Sequence, residues 1–177
     1  MTTYYKCTRA DGTDFRTGTI DYAAALASGE VITHPARRLR PGDASTYLSV
    51  SVAAADCTGS QWPCRLFRVE PVGKAVPDPD IPSKRCVKAL RVVEELPAWQ
   101  ALGPNGEAVA ALIERARTLT PDEARRMAAA GDAAWAAAWA LVVRDLISTE
   151  HFETLVAPWV AGVGRTWETP VERTVGR

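Results

Sequence analysis

The sequence predicts an α+β fold: a small, mainly antiparallel sheet followed by a C-terminal helical hairpin or three-helix segment. Residues 45–52 and 65–72 alternate polar and apolar side chains, the period-two pattern of a strand with one face in a core. The connections between such segments are short, which favours antiparallel pairing. Beyond Pro97 the composition shifts to alanine-rich stretches with apolar stripes at helical spacing. The expected organisation is a sheet-rich domain over 1–98, a helical region over 99–167 packed on it or serving as an interface, and a flexible tail over 168–177.

In chain order, residues 2–7 read as a first strand, rich in β-branched and aromatic side chains, and Asp11-Gly12 as a turn. Tyr22, Ala23, Leu26 and Ala27 recur at helical spacing, and Gly29 closes that short helix. Residues 30–33 form a short extended piece before Pro35. Residues 45–52 and 65–72 are the alternating strands, with Pro71 marking an end or an edge. Residues 77–82 are a stiff proline-rich loop, and 86–94 read as one final strand. Four to six strands follow from this count.

The helical half begins after Gly103-Pro104, with Asn105 available as a cap. Val109, Leu112, Ile113, Ala116 and Leu119 form one apolar stripe. Thr120-Pro121-Asp122-Glu123 is a helix start: a threonine cap, proline at the first turn and a glutamate three residues on. One helix is expected from Thr120 to Ile147, with Trp135, Trp139, Val142 and Leu146 burying its apolar face. Ser148 or Thr149 caps a last short helix, which Pro158 stops.

Composition removes several classes of function. The chain has 21 basic and 21 acidic residues, divided as 13 and 11 over residues 1–100 and 8 and 10 beyond. Neither half has the basic excess of a nonspecific nucleic-acid binder, and specific nucleic-acid recognition is not expected. No apolar run reaches membrane-spanning length and no signal-peptide layout opens the chain, so a cytoplasmic location with no membrane partner is expected. Cys7, Cys57, Cys64 and Cys86 lack paired spacing and read as reduced, buried thiols with no metal. His34 reads as a loop residue and His151 as a decoration of the last helix.

Two surfaces are candidates for binding. Arg37, Arg38 and Arg40, joined by Lys84, Arg85 and Lys88, could receive an anionic small molecule or an acidic protein. Trp159 and Trp167 are the candidate interface residues, and a homo-oligomer is one expected use of the helical surface.

Some short strings carry resemblances. Tyr5-Lys6, the strand-then-alanine segment 48–56, Leu66-Phe67-Arg68-Val69-Glu70-Pro71-Val72-Gly73 and residues 89–96 resemble a domain of unknown function in phage and actinobacterial proteins, over residues 4–95. The chain departs from it at 49–52, where similar proteins carry a Gly-Phe-His-like string. Residues 130–160, with Ala140-Leu141-Val142-Val143-Arg144-Asp145-Leu146-Ile147 and Leu155-Val156-Ala157-Pro158-Trp159, resemble an alanine- and tryptophan-rich helical segment of Streptomyces-like proteins. Neither resemblance implies an activity. Arg9, Ser49 or Ser51, and Glu70 also fall in the order used by ADP-ribosyltransferases. That resemblance would imply arginine on the phosphates of NAD, serine on the nicotinamide ribose and glutamate on the cationic sugar. The expectation carried forward is a non-catalytic accessory or binding protein with no cofactor. A transferase-like enzyme using NAD and an oligomer-forming structural protein are the alternatives.

Overall fold

The computed structural model describes residues 3–57, 61–129 and 133–168. It is an α+β protein whose chain divides into two compact units, residues 1–101 and 102–177.

The first unit is a seven-stranded antiparallel sheet, order β2-β7-β4-β1-β3-β6-β5. Its strands are β1 (Tyr4–Arg9), β2 (Val31–Thr33), β3 (Leu48–Ser51), β4 (Cys64–Pro71), β5 (Ala75–Pro77), β6 (Lys84–Val87) and β7 (Ala89–Leu96). The short helix α1 (Tyr22–Ser28) is capped by the Asp21 side chain and ends at Gly29, whose φ of 72° is the left-handed conformation glycine takes freely. It covers one sheet face: Tyr22 stacks on Phe67, with ring centroids 6.4 Å apart, over Tyr4, Leu48, Val50, Val69, Val87 and Leu90. The other face carries Cys7, Cys57, Cys64 and Leu66, with Phe15, Trp62, Leu96 and Ala98 packed against them.

The sequence reading of residues 86–94 as one strand is corrected. Lys88 divides two strands that lie in different parts of the sheet: β6 between β3 and β5, β7 between β4 and β2. Both are apolar β-formers, so composition does not reveal the break; Lys88 reveals it by donating to the His34 and Ala36 carbonyls at the crossing. Between β1 and β3 the ladder has a single registered pair, Tyr5 with Ser51, whereas β1 and β4 pair over six residues.

The second unit holds α2 (Gly106–Arg117), α3 (Pro121–Ala129), α4 (Ala133–Val142) and α5 (Thr149–Val163). The Thr120–Glu123 capping box is present in both directions: Thr120 N donates to Glu123 Oε2 at 2.9 Å and Glu123 N to Thr120 Oγ1 at 3.3 Å. Asn105 does not cap α2 through its side chain; its amide donates instead to Asp145.

The other helical expectations are corrected. Within the stretch from Thr120 to Ile147, helix is described over Pro121–Ala129 and Ala133–Val142, and it stops short of the expected end, giving way to a 3-10 turn at Arg144–Leu146. Trp135 and Trp139 are 67% and 60% exposed and Leu146 is 84% exposed. The buried stripe of α4 is Ala133, Ala137, Ala140 and Leu141, on the opposite side of the helix. Alanine has no bulk to hold α5 away, so that face sits closest to its neighbour. α5 continues through Pro158. The proline removes the donor to the Thr154 carbonyl, but Thr154 is on the exposed side, while buried Phe152, Val156 and Trp159 hold the helix across the gap. Trp159 (0% exposed) and Trp167 (8%) belong to this core, so they are not the free interface residues the sequence suggested. The tail at 169–177 lies outside the described residues.

Candidate functional site

Where β1 and β3 part, the sheet opens a cavity of about 190 Å³. Its polar lining comes from Lys6 and Cys7 of β1, Ser49 and Ser51 of β3, Cys57 just beyond β3, and Lys84 of β6. Asp14 and Arg16, in the loop after β1, also reach it.

Two lysines meet here because the ladder stops. Beyond Tyr5 no β1 residue pairs with β3, and Lys6 Nζ donates to the Ser49 carbonyl at 3.1 Å instead. The ammonium also lies over the Tyr22 ring, 5.5 Å from its centroid. Desolvation first, and the neighbouring Lys84 charge second, lower the Lys6 pKa. Lys84 is 8% exposed and its Nζ donates to Ser51 Oγ at 2.8 Å; Ser51 Oγ in turn donates to the Asp56 carbonyl at 3.2 Å. Among the described residues no carboxylate lies within 4.0 Å of either ammonium. The Asp14 carboxylate is spent locally, accepting from Thr17 N, Thr17 Oγ1, Thr19 N and Ile20 N at 2.7–3.1 Å. Burial pushes its carboxyl up, but those donors outweigh it and hold the pKa at about 2.

Three thiols line or back the same cavity. Cys7 donates its one proton to Cys64 Sγ at 3.5 Å, and Cys57 packs in the same cluster. The neighbouring Cys57 and Cys64 sulfurs, with burial, push the Cys7 pKa far up. Cys57 moves the other way: hydrogen bonding with Cys7, helped by the Lys84 charge, outweighs burial and favours its thiolate. Cys86 stands apart, with Tyr47 and Asp78, and burial raises its pKa. Among the described residues no group of three or more His, Cys, Asp or Glu side chains is placed to hold a metal ion.

The residues singled out in the sequence are distributed differently from either list. Lys84 faces the cavity, while Arg85, next along the strand, donates to the Pro82 and Lys84 carbonyls at 2.7 Å. Lys88 is tied to the backbone at the foot of the arginine loop. Arg37, Arg38 and Arg40 are exposed, and Arg40 pairs with Asp43 at 3.0 Å. The six therefore do not form one patch. Of the transferase-like set, Arg9 donates to the Phe15 carbonyl and lies opposite Cys64, at the start of β4. Glu70 lies six residues further along that strand, about 20 Å away at a strand's rise per residue. Ser51 belongs instead with Lys84. Lys6 and Cys57 were missed; a lysine inside the β1 pattern Tyr-Tyr-Lys-Cys and another opening β6 before a buried cysteine were the available signal.

The second unit has one notable surface. Trp135 and Trp139 flank an apolar groove of about 600 Å³, whose other wall is Val109, Leu112, Ile113 and Ala116 of α2. Among the described residues no helix is long and apolar enough to cross a membrane. Comparison with known protein families, with curated proteins and with solved structures finds no match to the chain.

Proposed function

We propose that the chain is a non-catalytic binding protein of the phage and actinobacterial kind its short strings resemble, and that the cavity between β1 and β3 takes a small anion. The observation that carries this is the meeting of two enclosed ammonium groups, Lys6 and Lys84, without a carboxylate partner. Enclosing charge without a counter-charge is costly, and a bound oxyanion or carboxylate relieves that cost. Asp14 and an ionised Cys57 offset part of this charge through space, but Lys6, Lys84 and Arg16 outnumber them at the lining. At about 190 Å³ the space is below the roughly 300–1,000 Å³ of pockets for drug-sized ligands, which restricts the ligand to the size of phosphate, sulfate or a short carboxylate. The exposed arginines of the loop after β2 are left as an outer basic surface.

The test is calorimetric titration with inorganic phosphate, sulfate and succinate. Wild type should bind at least one saturably, Lys84→Met should lose that binding with unchanged circular dichroism, and Cys57→Ser should keep it. No saturable binding of any of the three by wild type at millimolar concentration would refute the reading.

The exposed tryptophans favour a second reading, self-association through the helical unit. The two rings leave about two thirds of their surface uncovered, or roughly 190–320 Å² at about 150–250 Å² each. With Val142 and Leu146 the stripe remains short of the roughly 800 Å² per partner of a standard interface. The assembly expected is therefore a weak dimer of two copies, seen in sedimentation only at high concentration and abolished by Trp135→Ala with Trp139→Ala. Monomer at every concentration would rule it out.

A further inference from the structure

We propose that Cys57 is a reactive thiolate that small, uncharged hydroperoxides oxidise, and that Cys7 is the thiol that resolves it into a Cys7–Cys57 disulfide. Four features of the cavity converge on this. Cys57 lines the cavity, so a molecule the size of hydrogen peroxide can reach its sulfur although the residue is only 5% exposed. Lys84, lining the same cavity and donating to Ser51 Oγ, supplies the positive charge that favours a thiolate. Cys7 lines the same cavity and packs in one cluster with Cys57. Cys7 is held protonated beside the Cys57 thiolate, so it is a poor first nucleophile; once Cys57 is a neutral sulfenic acid that hold is relieved and Cys7 can lose its proton and attack.

The chemistry closes on the named groups. The Cys57 thiolate attacks one peroxide oxygen; an S–O bond forms and the O–O bond breaks. The leaving oxygen carries off the electron pair, takes a proton from Lys84 or solvent and departs as water. Sulfur is oxidised to the sulfenic acid and the peroxide is reduced. Cys7 Sγ then attacks Cys57 Sγ; the S–S bond forms and the S–O bond breaks. The departing hydroxide takes the Cys7 proton as a second water. An external dithiol returns the pair to its reduced form. This is a stoichiometric modification and does not require the cavity to bind an anion, since hydrogen peroxide is neutral.

The experiment treats the full reduced chain with hydrogen peroxide, with and without dimedone, and locates products by tandem mass spectrometry. Wild type should form a Cys7–Cys57 disulfide and leave Cys64 and Cys86 free. Cys7→Ser should stop at a dimedone-trapped sulfenic acid on Cys57, Cys57→Ser should not react, and Cys64→Ser should react like wild type. Lys84→Met should slow the oxidation about tenfold or more at pH 7, with recovery at alkaline pH where the thiol ionises unaided. Should Cys57→Ser fail to fold, the pH profile of Cys57 alkylation in wild type gives the same answer: reaction persists well below the ordinary thiol range. First oxidation at Cys64 or Cys86, a Cys7–Cys64 bond in place of Cys7–Cys57, or an ordinary thiol pH profile at Cys57 would overturn the proposal.

Discussion

Replacing Trp159 by alanine tests how the helical unit is held together, because two other tryptophans of the unit serve as internal controls. Trp159 is fully buried and its indole donates to Thr166 Oγ1 at 3.3 Å, while Phe152 and Trp167 meet edge to face beside it. A side chain of up to about 250 Å² at roughly 25 cal/mol per Å² sets a ceiling near 6 kcal/mol. The retained methyl and partial collapse of the cavity bring the expected loss to about 3–5 kcal/mol. That is a large part of the roughly 5–15 kcal/mol that holds a domain folded. Trp135 buries only a third of its surface, which by the same coefficient caps the loss at about 2 kcal/mol. Urea denaturation of the full chain, followed by circular dichroism at 222 nm, should therefore show a midpoint moved far down by Trp159→Ala and only slightly by Trp135→Ala. Equal losses for the two variants would refute the assignment of the alanine stripe as the inner face of α4.

Two other expectations need only standard denaturation. Asp14 has a folded pKa near 2, below its ordinary 3.8, so its stabilising contribution is complete above about pH 4 and drains away as pH falls toward 2; Asp14→Asn should flatten that part of the acid stability profile. Tyr47 is buried and donates to Asp78 Oδ2 at 2.9 Å, so Tyr47→Phe should cost about 1–2 kcal/mol in urea. Asp78→Ala should cost more, because the Asp80 and Ile81 amides and the Cys86 thiol lose the same acceptor.

What the sequence made legible was local. The Thr120–Glu123 cap, the glycine end of α1 and the presence of β3 and β4 each depend on residues within a few positions of one another, and each is found. The one-sided burial expected of β3 and β4 is not: Ser51 is buried, and neighbouring Leu66 and Phe67 are buried on opposite faces. The inner face of α4 was not legible, since Trp135-Trp139-Val142-Leu146 and Ala133-Ala137-Ala140-Leu141 both satisfy helical spacing. Hydrophobicity favoured the tryptophans, and close packing against α5 selected the alanines. The cavity was legible only in fragments. Ser51 and Lys84 were each singled out, but for different chemistries, because the sequence could not show that β3 and β6 pair in the register that joins them. Lys6 and Cys57 come from further apart still, and their meeting depends on an interruption of pairing that leaves no sequence signature.

That interruption also governs how the sheet coheres. With Tyr5 and Ser51 its single registered rung, the β1–β3 boundary joins a four-strand block, β2-β7-β4-β1, to a three-strand block, β3-β6-β5. The Lys6 ammonium, holding the Ser49 carbonyl, is a side-chain rung in place of a backbone one. An occupant engaging Lys6 and Lys84 together would span the two blocks like a rivet. Amide protons along β3 report on that seam directly: their exchange should slow when the cavity fills, while those inside the six-pair β1–β4 ladder stay as they were.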